Sequence, residues 1–568
     1  MVAYAVLFSW PLVMLVLFRT LPVATALICS LLGAMLLLPG RTGVDLPMLP
    51  PINKGSLPVV TAIVLLMVMV SKTSNRLPGA THGTGARGLN MDHVLPGWLP
   101  RSKIILGLIA LFFIGIFMTV LTNGDPQFYG PRVLRRMQIY DGLSNALQGI
   151  VMLLPLLVAR KFLGHPDTHA TFLRILCIAG VLYSLPALLE VRISPRLNLM
   201  VYGFQTQNWL QGVRGGGWRP TVFLSHGLVL AIVLAMCALA AVGYMRIADR
   251  NRRLIWMAVA CWLMITLVLI NSLGALVIFI LLAPAVFLLK PRLQLICAAC
   301  IAGVVLLYPM LRSADLVPVG RIVEIARDFD AARAGSLAYR FDNEDILLEK
   351  ARERPLFGWG GWSRSRVFDD QGRDVSTTDG AWVIILGVGG WAQYLMRFGV
   401  LSIPIIILAL RRRGDPPDLA TSVLALLLAA NLVDLIPNSG NTTLTALIAG
   451  ALIGRLEYRA PHSVAAEETT ADPDDRRAVQ KHRPPDRPAP RPPRLCPPGG
   501  HVEDFRRAGE LTCRPLRMWV PLSSAGTKAN ACCAVWTACW GRAAGSFMWI
   551  PVPAMAVLRR HAPGARRS

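Results

Sequence analysis

The stretch IILGLIALFFIGIFMTVL at residues 104–121 decides the fold, because it contains no charged side chain. A helix of about 20 such residues crosses a hydrocarbon core about 30 Å thick. Residues 293–311 form a second run of this kind, and more follow along the chain. The whole chain is 54% hydrophobic and only 16% charged, whereas about a quarter of the residues in soluble domains are charged. We therefore predict an all-α, polytopic membrane protein.

The apolar runs predict about 12–13 transmembrane helices and one long loop, at residues 312–380. The segment 381–410 is long for one span, and Gly387, Gly389 and Gly390 predict a kinked or re-entrant first part. The predicted spans lie at residues 2–18, 21–38, 58–70, 104–121, 142–159, 172–189, 221–243, 254–270, 272–289, 293–311, 383–410, 419–436 and 441–456.

Three short basic loops, at residues 246–253, 290–292 and 411–413, predict the orientation of the chain. Lys and Arg are enriched in cytoplasmic loops, so the opposite side should carry residues 312–380, together with the loops at 122–141 and 190–220. We expect a multi-pass protein of the bacterial inner membrane with a periplasmic long loop. Basic loops beside anionic lipids account for the net charge of +25 without any nucleic-acid partner.

This layout predicts four regions along the chain. Residues 1–311 hold the N-terminal spans, 312–380 the periplasmic loop, 381–456 the C-terminal spans, and 457–568 a disordered or out-of-frame tail that is rich in Pro and Arg. We expect no cleavable signal peptide, because the first apolar run leads straight into a second. Six of the 11 cysteines lie in spans and five in the tail, so neither a disulfide framework nor a metal site is expected.

Arginines are concentrated in two of the predicted outer loops, against the usual charge bias of membrane proteins. A guanidinium binds two phosphate oxygens at once and stays charged, so these residues suit a lipid-linked pyrophosphate. Contact with lipid headgroups, or ion pairs with Asp125, Asp141 and Glu190, is the alternative. The arginines concerned are Arg132, Arg135 and Arg136 in the first loop and Arg192, Arg196, Arg214 and Arg219 in the second.

The long loop contains a predicted helix at residues 341–353, with acidic residues in its first turn and basic residues in its last. Arg340 precedes this helix, and Pro355 ends it. The turn PLFGWGGW at residues 355–362 follows, where Gly358, Trp359 and Gly360 could approach a sugar. Alternatively, Trp359 and Trp362 dock the loop at the bilayer interface, a common position for Trp.

Arg340, the turn PLFGWG at 355–360, and Asp379 before a Gly-rich span resemble the O-antigen ligase and O-antigen polymerase superfamily. The resemblance is residue-specific over roughly residues 330–400. It implies transfer of a glycan from undecaprenyl pyrophosphate to a hydroxyl of a glycan or lipid acceptor, with no metal or other cofactor. The family often has a His after the acidic position, but here Gly380, Ala381 and Trp382 follow.

The resemblance and the loop positions together suggest roles for individual residues. Arg340, then Arg214 and Arg219, are the expected pyrophosphate ligands, with Arg132 and Arg192 as further substrate-binding residues. Asp379 is the first candidate for general base, followed by Glu190 and by His226, the one histidine within reach on the outer side. Two structural alternatives stay open: Asp379 as a helix N-cap, and Glu190 as the ion-pair partner of Arg192.

A transporter or flippase of lipid-linked oligosaccharide is the alternative function. Such a protein should show internal repeats and ionisable residues at mid-bilayer. No repeat is evident, and the polar residues noted in the spans lie near span ends, at Asn271, Asn431 and Asp434. A non-enzymatic assembly or sensor protein is a further alternative, for which the sequence offers no docking domain.

Overall fold

A computed structural model describes residues 1–46, 49–74, 93–207, 212–214, 217–329, 331–411 and 418–458. The chain divides into a compact unit Met1–Ala478 and a second unit Val479–Ser568. The second unit lies wholly outside the described residues, as do Arg412 and Arg413. The predicted tail is described only at residues 457 and 458.

The protein is an all-α, polytopic membrane protein, and each predicted span corresponds to one apolar helix of the described chain. Eight of the described helices are long and apolar enough to cross a membrane, and α2, α10, α15 and the apolar part of α3 are shorter. The helices that correspond to predicted spans are α1 Val2–Thr20, α2 Val23–Leu37, α3 Leu57–Ser74, α4 Lys103–Leu121, α5 Ile139–Phe162, α6 Pro166–Ile193, α8 Gly227–Ile247, α9 Arg253–Leu269, α10 Leu273–Leu288, α11 Pro291–Ser313, α14 Ala381–Leu410, α15 Leu419–Asp434 and α16 Thr443–Glu457, with α7 Leu197–Tyr202, α12 Val319–Phe329 and α13 Ala331–Arg352 in loops.

One end of the helix bundle, which we call the loop face, carries the long loop and three small antiparallel hairpins. The Arg41 guanidinium donates to the Thr206 carbonyl at 2.7 Å, and the Asn123 amide donates to the Gly358 carbonyl at 2.9 Å. These hydrogen bonds join loops that are far apart in sequence. The hairpins pair β1 Gly43–Val44 with β2 Ile52–Asn53, β3 Gln127–Tyr129 with β4 Arg132–Leu134, and β5 Val213–Arg214 with β6 Gly217–Trp218.

The opposite end of the bundle carries the described parts of the three basic loops. Arg160 is buried there, and its Nε donates to Glu457 at 2.9 Å, which joins α5 to α16. Arg246 donates to the carbonyls of Val286 and Leu289, and Arg411 to that of Leu456. The basic loops therefore lie on one side, although the side of the membrane they face stays a prediction.

Helix α14 is broken at Gly390, whose φ of 62° and ψ of −164° are not helical. The break leaves backbone groups of α14 without helical partners, and the turn at residues 355–360 supplies those partners. Trp359 and Gly360 donate to the carbonyls of Gly387 and Val388, each at 2.8 Å. Trp391 and Ala392 donate to the carbonyls of Pro355 and Leu356, at 2.8 and 3.1 Å. The predicted kink is confirmed, and it is where the long loop docks.

Glycine is required on both sides of this contact. A Cβ on Gly390 would lie 2.4 Å from the carbonyl carbon of Leu356, and one on Gly358 would lie 2.5 Å from that of Val388. Both residues also have positive φ, at 62° and 66°, where a side chain costs roughly 1–2 kcal/mol. The glycines of the turn and of the span therefore form one close backbone contact.

The predicted helix of the long loop begins ten residues earlier than expected, since α13 starts at Ala331 and not at residue 341. Residues 331–340, AARAGSLAYR, contain no proline and are mostly good helix formers. As a result, Asp342, Glu344 and Asp345 lie in the middle of α13, so the prediction of an acidic first turn is wrong.

We predict that Gly390→Ala destabilises the protein by roughly 2 kcal/mol or more, from positive φ and from contact with the turn backbone. Thermal unfolding in detergent measures this change. Gly361→Ala is the matched control, because a Cβ at Gly361 meets no atom within 4 Å. Equal unfolding midpoints for the two variants would contradict the close contact.

We also predict that the loop face is periplasmic. Two variants test this, each with one introduced cysteine at an exposed position. One position is Gln371, in the long loop, and the other is Arg250, at the opposite end of the bundle. Gln371→Cys should react with a membrane-impermeant maleimide added to intact spheroplasts, whereas Arg250→Cys should react only after lysis. Labelling is measured against the wild-type chain, and the reverse pattern would overturn the orientation.

Candidate functional site

The loop face contains a cavity of about 360 Å³, which we call the reaction cavity. It lies where the starts of α8, α14 and α16 meet the end of α15 and the segment after β2. The lining residues that carry charge or a polar side chain are Lys54, Ser225, His226, Asp379, Asp434, Asn438, Ser439, Asn441, Thr442 and Thr443.

Arg340 on α13 reaches the wall of this cavity. Its Nε lies 3.4 Å from the Asp379 carboxylate, and its Nη1 donates to the Pro437 carbonyl at 3.1 Å and to the Asn438 side chain at 3.3 Å. Asp379 does not cap α14, because the N-cap position is Gly380 and no side chain caps it. The N-cap alternative for Asp379 is therefore wrong, and its carboxylate pairs with Arg340 instead.

His226 is the N-cap residue of α8, and its side chain lines the reaction cavity. Its Nδ1 accepts a hydrogen bond from the Leu228 N–H at 3.1 Å. The neutral ring must then carry its proton on Nε2, where it can donate but not accept. The structure thus brings Arg340, Asp379 and His226 together, although they lie far apart in sequence.

Lys54 is a cavity residue that the sequence did not indicate. It follows β2 and lies near the backbone of the segment before α8, with Nζ 3.4 Å from the Phe223 carbonyl. Burial lowers the pKa of Lys54 to about 8, so the ammonium form still predominates at pH 7. No local motif marks this lysine, because only the tertiary contacts place it beside His226 and Asp379.

Asp434 and Asn438 extend the polar network into the cavity. Asn438 donates to Asp434 Oδ1 at 2.8 Å while accepting from Arg340. Asp434 Oδ2 is buried and has no hydrogen-bond partner among the described residues. The described network therefore runs from Asp379 through Arg340 and Asn438 to Asp434.

Residues 257–384 match the family model of the O-antigen ligase domain. The match covers less than a quarter of the chain, and this segment is therefore similar to the O-antigen ligase family. The matched segment begins in α9 and ends in the first turn of α14, so it contains Arg340, the turn at 355–360 and Asp379. No curated protein matches the chain.

Outside the reaction cavity, the matched segment also buries a carboxyl group, that of Glu344, one helical turn after Arg340. Its Oε1 accepts from Trp382 Nε1 at 3.4 Å, and its Oε2 has no partner among the described residues. Burial raises the pKa of Glu344 to about 7. This side chain does not line the reaction cavity, so we place it in the packing of α13 against α14.

Arg132 lies in the β3–β4 hairpin, away from the reaction cavity. It donates to the Gly372 carbonyl at 3.3 Å, and its guanidinium lies 4.3 Å from the centre of the Phe368 ring. Arg135 pairs with Asp141 at 2.8 Å, as the ion-pair alternative predicted for this loop. Arg132 and Arg135 thus hold the hairpin and the long loop in place, and a role in substrate binding stays a prediction.

Glu190 is fully buried, and its carboxylate accepts from the N–H groups of Leu197, Thr221 and Val222 at 2.7–2.9 Å. It does not pair with Arg192, so the ion-pair alternative is wrong. Arg192 is exposed. Both oxygens of Glu190 already hold loop backbone, so the structure gives no support for Glu190 as a base.

Arg214 and Arg219 follow in the same outer loop. The Arg214 side chain lies outside the described residues. The Arg219 side chain packs against Gly227, the residue after His226, since a Cβ added to Gly227 would come within 2.5 Å of its Cδ. Of the arginines predicted in this loop, Arg219 is the one that the structure places next to a reaction-cavity residue.

Trp359 is buried and does not face a bilayer or an open sugar site. Its Nε1 donates to the Lys350 carbonyl at 2.7 Å, and the cations of Lys350 and Arg354 lie 3.8 and 4.2 Å from its ring centre. The interface interpretation is therefore wrong for Trp359, while Trp362 stays exposed. Gly358 and Gly360 belong to the turn that docks the long loop on α14.

At the opposite end of the bundle, His93, His165 and Asp167 could together hold a metal ion. The two histidine rings stack at 3.6 Å, and His165 Nδ1 accepts from the Asp167 N–H at 3.2 Å in capping α6. This group was not expected from sequence spacing. It lies away from the reaction cavity.

Glu344 predicts a pH dependence of stability. Because folding raises its pKa from 4.5 to about 7, its stabilising proton is fully retained below about pH 4.5 and lost as the pH rises through 7. Wild type should lose stability between pH 5 and 8 relative to Glu344→Gln, which keeps a neutral side chain. Thermal midpoints across this range test the prediction, and parallel curves would contradict it.

Proposed function

We propose that this protein transfers a glycan from undecaprenyl pyrophosphate to a hydroxyl of a glycan or lipid acceptor, in the assembly of a cell-surface polysaccharide. The reaction takes place at the loop face, on the periplasmic side of the bacterial inner membrane. The observation that carries this proposal is the contact between Arg340 and Asp379. Both residues belong to the O-antigen ligase match, and their pair borders a cavity that also contains Lys54 and His226.

The cations suit the leaving group of this reaction. Pyrophosphate leaves with increasing negative charge, which fixed cations in a poorly solvated site stabilise. Arg340 is held by Asp379, Pro437 and Asn438, so its guanidinium is already oriented before substrate binds. Lys54 adds a second positive charge to the cavity lining.

The proposed transfer step balances in bonds, electrons and protons without a metal ion or other cofactor. The acceptor oxygen forms a bond to the anomeric carbon, and the bond from that carbon to the pyrophosphate oxygen breaks with its electron pair. Asp379 accepts the proton of the attacking hydroxyl, which contributes about 10²–10⁴ in rate. His226, protonated on Nε2, donates a hydrogen bond to an oxygen of the donor.

Ligase and polymerase reactions share this chemistry and differ in the acceptor. A glycan hydroxyl gives chain extension, whereas a hydroxyl on a lipid anchor gives ligation. Either acceptor must reach Asp379 from the loop face, because the reaction cavity lies at the ends of the spans.

A flippase for the same lipid-linked glycan is the second candidate function. Arg397, in the second half of α14, is an ionisable residue inside a span and lines a separate cavity. The expectation that polar residues of the spans lie near their ends therefore overlooked this arginine. Ionisable residues that face cavities between spans are typical of transporters.

Arg340→Ala and Asp379→Asn should each reduce glycan transfer by at least about 100-fold, because each removes a group that acts on charge or on the proton in the transition state. The assay uses purified full-length chain in nanodiscs with a lipid-linked glycan and an acceptor. Arg373→Ala is the control, since this exposed arginine of the same loop pairs with Asp369 and does not line the reaction cavity among the described residues. Wild-type rates in both site variants would refute the proposed function.

A proteoliposome assay separates transfer from translocation. A transferase forms product from donor placed on the loop face alone. A flippase moves the donor between leaflets and forms no glycan product, and that result would replace the proposed function with the second candidate.

A further inference from the structure

A second cavity, of about 440 Å³, lies between α5, α14, the start of α16 and the segment after β2. We call it the inner cavity. Its single charged lining residue among the described ones is Arg397. The inner cavity also contains the polar side chains of Asn53, Gln148, Asn441 and Thr442, together with apolar residues that include Val151, Leu156, Val400 and Leu401.

Arg397 has no anionic partner in the described chain. Its Nε is buried without a hydrogen-bond partner, and the described contact of its guanidinium is with the Phe112 ring, at 5.9 Å from the ring centre. Arg397 as a whole is half-buried, and an arginine inside a span is normally paired, because an uncompensated charge in a low-dielectric environment is costly. Arg160 shows the ordinary case in this protein, since it pairs with Glu457. Arg397 is therefore a cation that lacks its anion.

The inner cavity has the chemistry of an amphipathic ligand site. No acidic residue lines it among the described residues. An anion that enters is therefore not repelled by a carboxylate and is attracted by Arg397. The apolar side chains from α5 and α14 lie along the same cavity. A free anion would make no contact with these apolar side chains. A phosphate attached to an apolar chain would contact both Arg397 and the apolar side chains.

The inner cavity adjoins the reaction cavity. Gly55, Asn441, Thr442 and Thr443 line both cavities. A ligand with its phosphate at Arg397 therefore extends past the first turn of α16 toward Asp379 and Lys54. This geometry places the lipid end of a bound molecule in the inner cavity and its other end in the reaction cavity.

We infer that the inner cavity is a binding site for a lipid phosphate and that Arg397 holds the phosphate nearest the apolar chain. The inference deepens the proposed function and rests on it for the identity of the natural donor. Arg397 acts as a positioning residue, because it sets how far the donor enters while Arg340, Asp379 and His226 face the reacting end.

Binding of farnesyl phosphate to the full-length chain in nanodiscs tests this inference. Arg397→Gln should weaken binding about 10- to 100-fold, the effect of losing a charge-assisted hydrogen bond, and Arg397→Lys should restore part of it. Arg411→Gln, at the far end of α14, is the matched control and should bind like wild type. Unchanged affinity in Arg397→Gln would overturn the inference.

A second variant and a second ligand test whether the inner cavity binds an apolar chain as well as a phosphate. Val151→Trp fills the apolar side of the inner cavity without touching the charge, and it should also weaken binding of farnesyl phosphate. Inorganic phosphate should bind far more weakly than farnesyl phosphate. Equal affinity for the two ligands, or wild-type affinity in Val151→Trp, would show that no lipid chain is bound there.

The transfer assay separates this inference from the proposed function. If wild type transfers glycan and Arg397→Gln binds farnesyl phosphate normally, the inference fails and the proposed function stands. If wild type forms no glycan product but binds farnesyl phosphate through Arg397, the lipid phosphate site stands and the proposed function fails.

Discussion

The backbone contact between the turn at residues 355–360 and the break in α14 is the constraint on which the loop face depends. A membrane-embedded helix cannot leave N–H and C=O groups unpaired without a large cost in free energy. The break at Gly390 frees such groups, and the turn pairs with them through four hydrogen bonds. The long loop therefore supplies the hydrogen-bond partners that the broken span lacks, and the span supplies partners for the backbone of the turn.

Side chains from α4 and from the loop itself reinforce this contact. Thr119 donates to the Phe357 carbonyl at 2.6 Å, and Asn123 links the Gly358 carbonyl to Arg354. Arg364, fully buried, donates to the carbonyls of Trp359, Asp125 and Arg135. Many of the loop-face arginines thus bind protein backbone. Positive charge in an outer loop is consequently weak evidence for a substrate site.

The charged groups found at the two cavities form a smaller set. Asp379 and Lys54 line the reaction cavity, Arg340 pairs with Asp379 at its wall, and Arg397 lines the inner cavity. Three of them come from consecutive parts of the chain, namely α13, the segment before α14 and α14 itself, whereas Lys54 comes from the segment after β2. The reaction cavity is therefore the charged part of the two adjoining cavities, and the inner cavity is the mainly apolar part. A lipid-linked anion requires this distribution.

The sequence by itself determined the all-α membrane fold, the positions of the spans and the kink near Gly390, and it singled out Arg340 and Asp379 as candidate site residues without indicating their contact. Span positions follow from local hydrophobicity, and the motif residues lie within one segment. Only the tertiary structure decided that Arg340 contacts Asp379, that Glu190 and Trp359 are buried in packing, and that Lys54 and Arg397 face cavities. Those properties depend on contacts between distant segments, which hydrophobic runs and local motifs do not encode.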